Sequence, residues 1–571
     1  MMDTLRILLL VMLALPLAAA VVSGLLGPRR GPAIRWVCLL SAVVCLALSL
    51  LLAVSFARLR YGDRAQEPPA AAEQTFRPEI VPGDPGRTHA TTWNLLSVGR
   101  GSPIQLYLGI DGLNVWLIVL TTLLLFTSVL VSWRAIDERV NEFYAWLMAL
   151  GTAMLGVFLS FDVILFYVFF ELTLVPLFFL IGIWGGPQRQ YAARKFFIYT
   201  LTGSLITLLG ILAVVLIVQQ QPETDVLTFS MPELVKQVHV LQAGAGSEPW
   251  RHAQIWIFLA LMAGFAIKVP LVPLHTWLPL AHVEAPTAGS VLLAGVLLKV
   301  GTYGFLRLCV PLTPDASVSL GIPLIGTLAV IGIVYGSLCA LAQEDIKRMV
   351  AYSSVAHLGF CMLGMFALNR AGLTGSVMQM INHGLSTGGL FLLVGMLYER
   401  YHTRKMADYG GMAARLKIMA CFWVFIVLTS IGLPGLNGFI GEALVLFGAY
   451  EMQYVEFWQS PVLAIIASSG IILGAWYLLT LLRRVFFGPV KEPHHEGHGP
   501  VGDLNGRELA ALLPVAAACV FIGVYAQPVI NAMEPDLNVV AQIAGQAKEQ
   551  AKIRQAQAEE AARAPTAPGV R

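Results

Sequence analysis

Lys268 and Lys299 each stand near the middle of an apolar segment, at the two ends of the run KVPLVPLHTWLPLAHVEAPTAGSVLLAGVLLK. A charge at the centre of a bilayer costs ~2.5–3.5 kcal/mol on insertion scales, so two such charges on consecutive spans point to a path for ions or protons. Pro270 follows Lys268 by two residues. It removes the donor that would close a helical bond to the carbonyl near Ala266, which bends the helix and admits water or a side chain. Glu171, in LFYVFFELTLVPLFF, supplies an acid at similar depth. Its structural alternative is a hydrogen bond to a neighbouring helix. Its functional reading is a partner for a buried cation, and a Glu171–Lys268 contact that forms and breaks would switch how tightly the lysine holds its proton.

His357 (AYSSVAHLGF) and His383 (MINHGLSTGG) lie in the tenth and eleventh apolar segments of the chain. Imidazole exchanges protons near physiological pH and suits a relay, although either residue alone reads equally well as a satisfied core histidine. Glu442 follows the break GLPGLNG and falls in the outer half of its segment, where an acid could release protons outward. His275, His282 and Glu284 fall near the inner face, as an inlet cluster or as interfacial residues. Glu344 and Asp345 start a helix on the basic side, where an acidic first turn explains them.

The elements that must position these residues are membrane helices. The chain has 571 residues, of which 57% are hydrophobic and 12% charged, against about 25% charged in a soluble protein. About 14 apolar segments are long enough to cross a ~30 Å hydrocarbon layer: 4–26, 34–57, 106–133, 142–161, 162–184, 192–219, 252–279, 286–311, 318–342, 347–368, 374–401, 416–452, 460–487 and 507–530. The fold class is an all-α polytopic membrane protein. The seventh and twelfth segments are both broken by proline and glycine. Interrupted segments at corresponding positions point to a transporter built from repeats, and an odd spacing of five makes the two units inverted.

Lysine and arginine concentrate in alternate short links, among them Arg29, Arg30, Arg134, Arg139, Arg189, Arg194, Lys347, Arg348, Arg404, Lys405, Arg483 and Arg484. The positive-inside rule puts these links in the cytoplasm and both termini outside. The first segment has the length of a retained span rather than a signal peptide, with no convincing cleavage site after it. Two polar links, 58–105 and 220–250, lie outside and lack the apolar content for a core of their own. The tail after Pro535 ends in an alanine-, glutamine- and charge-rich run (Ala547–Arg563) that is either a solvated helix or disordered.

Other chemistries are not written in the chain. The seven cysteines lie in apolar segments without CxxC or CxxH spacing and read as small buried hydrophobes. His494, His495 and His498 form a short tract in a loop without a scaffold, a poor metal site. No GxGxxG follows a strand and no GxxxxGK[ST] occurs, so no nucleotide site is visible. The net charge of +3 gives no reason to expect nucleic acid.

The runs KVPLVPLHTWLPLAHVEAPTAGSVLLAGVLLKVGTYGFLR, QEDIKRMVAYSSVAHLG and RRVFFGP resemble the antiporter-like membrane subunits of respiratory NADH:quinone oxidoreductase (complex I) and the Mrp-type cation/proton antiporters. The likeness is strong over 140–488. Within that family L-type and N-type members carry lysine in the twelfth span and the M-type carries glutamate, so Glu442, together with a chain that stops soon after its fourteenth span, resembles the M-type. The resemblance implies three N-terminal spans with a long outer link (1–141), a translocating core (142–487) of two inverted five-helix repeats (about 142–311 and 318–487), and a last span with a polar tail (488–571). It implies Glu171 and Lys268 as the switchable pair, Lys299 as central relay, His357 and His383 as bridge and Glu442 as exit. It implies no cofactor and no metal in this chain, with NAD, FMN, iron–sulfur clusters and quinone in partner subunits. The partners it implies are other membrane-arm subunits, including the L-type and N-type neighbours, in a bacterial inner membrane. The Mrp-type Na⁺/H⁺ antiporter is the alternative. The long 58–105 link departs from the family pattern and bears on outside contacts.

Overall fold

The computed structural model describes residues 2–61, 75–82, 93–98, 102–220, 227–243, 247–452, 460–494 and 501–563. In chain order, α1 (Asp3–Leu26), α2 (Pro28–Arg60), α3 (Val115–Ala135), α4 (Val140–Leu159), α5 (Val163–Trp184) and α6 (Arg189–Gln219) are followed by a surface helix, α7 (Met231–Ala243). The seventh span is α8 (Glu248–Lys268) and α9 (Leu278–Glu284) with an irregular stretch between them. Then come α10 (Thr287–Leu312), α11 (Pro314–Leu341), α12 (Ile346–Phe366) and α13 (Arg370–Tyr401). The twelfth span is the pair α14 (Lys417–Ile431) and α15 (Asn437–Tyr450). The chain continues with α16 (Pro461–Val485), α17 (Gly506–Val524) and α18 (Gln527–Arg563). Among the described residues 13 helices are long and apolar enough to cross a membrane. The α14–α15 pair, too short in either half, supplies the other span expected from the sequence.

Both breaks have local causes. In α8 the missing Pro270 donor does not leave the Ala266 carbonyl empty, because the Leu271 amide takes it at 3.0 Å. The next carbonyl, that of Ile267, accepts the Trp277 indole N–H at 2.9 Å, so both carbonyls have a protein donor. Between α14 and α15, Gly432 adopts φ 79° and ends the helix. The Leu433 amide returns to the Leu428 carbonyl at 3.1 Å, closing the end with a left-handed glycine. A third irregularity escaped the sequence reading. Pro176 lacks the donor for the Leu172 carbonyl, and α5 is interrupted at Thr173.

The lipid-depth centre of the molecule is built from α10 and α13, whose most apolar windows are wholly buried. Around Lys299, α10 carries two π turns, Leu293–Leu297 and Phe305–Cys309. Such turns open the i→i−4 ladder and are frequent at functional sites. Gly301 lets α10 approach α8 closely, since a Cβ there would stand 2.8 Å from that of Lys268. At the periphery, exposed apolar side chains such as Trp256, Ile472 and Ile7 suit contact with lipid or neighbouring helices.

The short basic links lie on one face, here the basic face. The opposite, far face carries an antiparallel hairpin, β1 (Asn94–Val98) and β2 (Ser102–Gln105), within the long 58–105 link. It also carries α18. The tail is helical, packed as far as Ala547 and mostly exposed to solvent from Lys552 to Glu560. Val529, Ala532, Met533, Leu537, Val540 and Ala544 recur at helical spacing and are buried. Arg554 pairs with Asp315 at 3.0 Å, Arg370 with Glu534, and Lys548 donates to the Ala367 and Leu368 carbonyls at 3.0 Å each. Residues 495–498 of the histidine tract lie outside the described residues.

Candidate functional site: a row of ionisable groups at bilayer depth

The interruption of α5 positions the first pair. Thr173 sits at the break caused by Pro176, and its hydroxyl accepts from Lys268 Nζ at 3.0 Å. Lys268 is buried at the end of α8, with its ammonium 4.4 Å from the Phe170 ring centroid. Glu171, two residues before Thr173, makes no direct ion pair with it. The Glu171 Oε1 atom is buried without a hydrogen-bond partner among the described residues. The carboxylate still acts on the ammonium through space. The direct Glu171–Lys268 contact expected from the sequence is absent from this arrangement, with Thr173 in its place.

The second set is contiguous. Lys299 Nζ donates to the Ala294 carbonyl in the π turn at 2.6 Å and stands 2.7 Å from His383 Nδ1. The His383 and His357 rings are 5.7 Å apart, centroid to centroid. His357 Nδ1 lies 3.4 Å from Glu442 Oε1, and Gln379 Nε2 donates to the same oxygen at 3.2 Å. Asn382 Nδ2 donates to the Asn437 carbonyl at 2.6 Å, tying α13 to the restart of the broken span. Lys299, His383, His357 and Glu442, drawn from α10, α13, α12 and α15, thus form one row. The row ends beside the second helix break, where a Cβ on Gly432 would meet Glu442 Oε2 at 2.6 Å. No side-chain hydrogen bond joins Lys268 to Lys299 among the described residues; the two are brought near by the close approach of α8 and α10.

Of the residues placed near the basic face, His282 is deeper than expected. It is fully buried, stacks on Phe391 at 4.6 Å, and neither ring nitrogen has a partner among the described residues. It lies within electrostatic reach of both Lys347 and Lys299. Glu284 accepts the Gln188 amide at 2.9 Å, at the start of α6. His275 packs edge-on against Tyr335 at 5.3 Å. Asp345 caps α12 through the Arg348 amide, as its position in sequence implies.

The sequence reading passed over a buried ion pair. Arg307, in α10, and Asp111, before α3, approach to 2.6 Å with neither side chain exposed. Both lie near the ends of apolar segments, where a charge normally reaches water. The available signal was the i, i+4, i+8 spacing of Lys299, Tyr303 and Arg307 on one helix face. Among the described residues no group of three or more His, Cys, Asp or Glu side chains could hold a metal ion.

This arrangement is that of a polytopic membrane transporter core with ionisable side chains at mid-depth. Residues 160–473 match the family model described as NADH:quinone oxidoreductase/Mrp antiporter, transmembrane. The chain belongs to that family, in the branch that subunit M relatives define. It is 38% identical over 529 residues to NADH-quinone oxidoreductase subunit M of Rhodobacter capsulatus, covering 92% of this chain and 94% of that one. A chain in the structure of respiratory complex I from Thermus thermophilus with bound NADH superposes with TM-score 0.75 at 29% identity, covering 94% of this chain and 99% of that one. A chain of the Mrp complex from Dietzia shares the fold at TM-score 0.71 and 17% identity, over 95% and 98% of the two chains.

Proposed function

We propose that this chain is a proton-translocating membrane-arm subunit of NADH:quinone oxidoreductase, driven by quinone reduction in partner subunits. The observation that carries the reading is the row Lys299–His383–His357–Glu442, in which each group can give or take a proton and the first pair is in hydrogen-bond contact. Lys299 donates to the neutral Nδ1 of His383. The imidazolium passes its proton across the facing rings to His357, and Glu442 receives it beside the helix break. The chain itself does no redox chemistry and holds none of the complex's NAD, FMN, iron–sulfur or quinone.

Glu171 and Lys268 act as the switch. At an effective dielectric of ~20, an ion pair at 4 Å is worth about 4 kcal/mol. Closing it therefore raises the hold of Lys268 on its proton by about three pH units, and parting it releases that hold. Bringing a further positive charge from about 15 to about 5 Å of Lys299 adds about 2 kcal/mol of push along the row. His282, between Lys347 and Lys299, is the inlet from the basic face.

The remaining parts follow the same reading. The basic face is cytoplasmic and both termini are periplasmic, in a bacterial inner membrane. Residues 142–487 form the translocating core, as inverted repeats 142–311 and 318–487, with 1–141 and 488–571 flanking it. The neighbours are other membrane-arm subunits, the L-type and N-type among them. The Mrp-type antiporter reading has only a fold likeness behind it. The test is NADH-driven proton uptake by the assembled complex in sealed vesicles, comparing wild type with Lys299→Ala at matched subunit content. Loss of uptake is expected; unchanged uptake would make the chain a scaffold.

A further inference from the structure

Gln379 stands one helical turn before His383 on α13, and its side chain is buried. The two ends of its amide have opposite chemistry. Nε2 donates to Glu442 Oε1 at 3.2 Å, while Gln379 Oε1 has no hydrogen-bond partner among the described residues. A buried acceptor left empty is costly and calls for an explanation. The backbone holds this amide in place. Glycines bring α13 and α15 into close contact: a Cβ on Gly375 would stand 2.5 Å from the Val445 nitrogen, and one on Gly441 would stand 2.5 Å from Gln379 Oε1. Asn369 Nδ2 donates to the Gly448 carbonyl at 2.8 Å and Asn382 Nδ2 to the Asn437 carbonyl at 2.6 Å, so the two helices are tied at both ends of their contact. Gln379 and Glu442 are therefore carried on one tightly packed helix pair.

The oxygen that Gln379 holds is the one that faces the row. Glu442 Oε1 lies 3.4 Å from His357 Nδ1, the group from which the proton comes. As an ion, Glu442 Oε1 accepts from Nε2 and the contact is satisfied. Once that oxygen carries the proton it is a donor, and an N–H aimed at it is poorly matched. A half-turn of the amide removes the mismatch, because Gln379 Oε1 then accepts the new O–H. The torsion concerned is broad and roughly two-fold. The N and O ends of a carboxamide are nearly the same in size, so one pocket admits both orientations. We propose that Gln379 is a positioning residue for proton exit, whose amide donates to ionised Glu442 and turns over to accept from protonated Glu442.

The surroundings leave this task to Gln379. The titratable groups facing Glu442 are His357 and Cys361 on α12 and Tyr477 on α16. His357 is the source of the proton, and Tyr477 has Ser353 as its side-chain partner. The neighbouring amide of Asn382 is spent on the Asn437 carbonyl. The turnover of Gln379 rests on the proton-translocating reading, in which Glu442 gains and loses a proton; its hydrogen bond to Glu442 does not.

The test is infrared difference spectroscopy of the assembled complex in sealed vesicles, between acidic and alkaline pH, with NADH-driven proton uptake measured in the same vesicles. The Glu442 carboxyl band is the one lost in Glu442→Gln. In Gln379→Met, which keeps the length and removes both ends of the amide, this band should move to the higher frequency of a carboxyl without an acceptor. Uptake should fall about tenfold, the loss of one hydrogen bond to a charged group. A side-chain amide band that changes with pH should be present in wild type and absent in both Glu442→Gln and Gln379→Met. A Glu442 band at its wild-type position in Gln379→Met would overturn the proposal, as would normal uptake in that variant or an amide band that keeps its pH change in Glu442→Gln. If Gln379→Met does not assemble, Gln379→Asn keeps an amide that is one methylene too short to reach Glu442; it must move the same band, and an unmoved band is equally fatal. A moved band with uptake unchanged in Lys299→Ala sinks the translocation reading and leaves the hydrogen bond standing. An unmoved band with uptake lost in Lys299→Ala does the reverse.

Discussion

Lys299 Nζ and His383 Nδ1 are 2.7 Å apart in a fully buried setting, and the other strong acceptor of the ammonium is a backbone carbonyl. A carbonyl can hold a proton donor but cannot carry the proton onward, so His383 is the only member of the pair's surroundings, among the described residues in hydrogen-bond contact with Nζ, that can. His383→Ala should lower NADH-driven proton uptake by at least about tenfold with the complex assembled. Removing a positioned proton-transfer group costs ~10²–10⁴ in rate, and water entering the vacated space softens the loss. His383→Gln, which keeps an acceptor without a titratable nitrogen, should fail as badly. Recovery of uptake in His383→Gln would show that hydrogen bonding, not proton transfer, is the role of this side chain.

Thr173 holds Lys268 while Glu171 stands apart. Thr173→Val removes the hydroxyl at nearly constant shape and leaves a buried ammonium short of a partner, a loss of about 1–3 kcal/mol. The ammonium then turns to Glu171, and the switch is biased towards its closed form. Coupled quinone reduction should fall several-fold in Thr173→Val and stay near wild type in Thr173→Ser. Equal activity of the two variants would remove Thr173 from the switch.

The six ionisable residues expected from the sequence were legible because charge in an apolar segment has few cheap explanations. Both helix breaks were legible too, from proline and glycine. The sequence did not say how the breaks are satisfied. The Trp277 indole that fills the Ile267 carbonyl comes from the irregular stretch itself, and no periodicity announces such a contact. Nor did it reveal that Glu171 and Lys268 are parted, which depends on the Pro176 interruption presenting Thr173 instead. Arg307 and Asp111 were hidden by position: each lies near a span end, and only the tertiary arrangement buries them. The tail was ambiguous because α18 is amphipathic with a polar exposed face, and the partner of its apolar face is distant in sequence.

Gly432 joins a backbone requirement to the exit group. Its φ of 79° is strained for any side chain, and a Cβ would stand 2.6 Å from Glu442 Oε2. Gly432→Ala should destabilise the assembled subunit by about 1–3 kcal/mol and push Glu442 from His357. Reduced thermal stability together with slowed proton uptake is expected. Glu442→Gln should slow uptake without the thermal loss. If Gly432→Ala were less stable yet pumped normally, the seat of Glu442 beside the break would be irrelevant to the exit.

Asp162 supplies a pH dependence at the start of α5, the helix that carries Glu171 and Thr173. Its Oδ1 caps the helix by accepting the Ile164 and Leu165 amides at 2.9 and 3.0 Å, while Oδ2 accepts the Gln105 amide from β2 at 3.0 Å. Burial nevertheless raises the carboxyl from 3.8 to about 6, against the three amides. The folded value lies above the unfolded one, so the folded state prefers the protonated acid. The stability this supplies is complete below 3.8 and is lost as pH rises through about 6. Two pH units correspond to about 3 kcal/mol as an upper figure. Amide exchange at Ile164 and Leu165, corrected for its intrinsic pH dependence, should show local opening becoming easier from roughly pH 4 to pH 7. Asp162→Asn keeps an acceptor for the two cap amides and should abolish that trend. Asp162→Ala should open the helix start at every pH by about 1 kcal/mol, the usual loss for a missing cap. Opening that is independent of pH in wild type would mean that water reaches this carboxylate and that burial does not govern it.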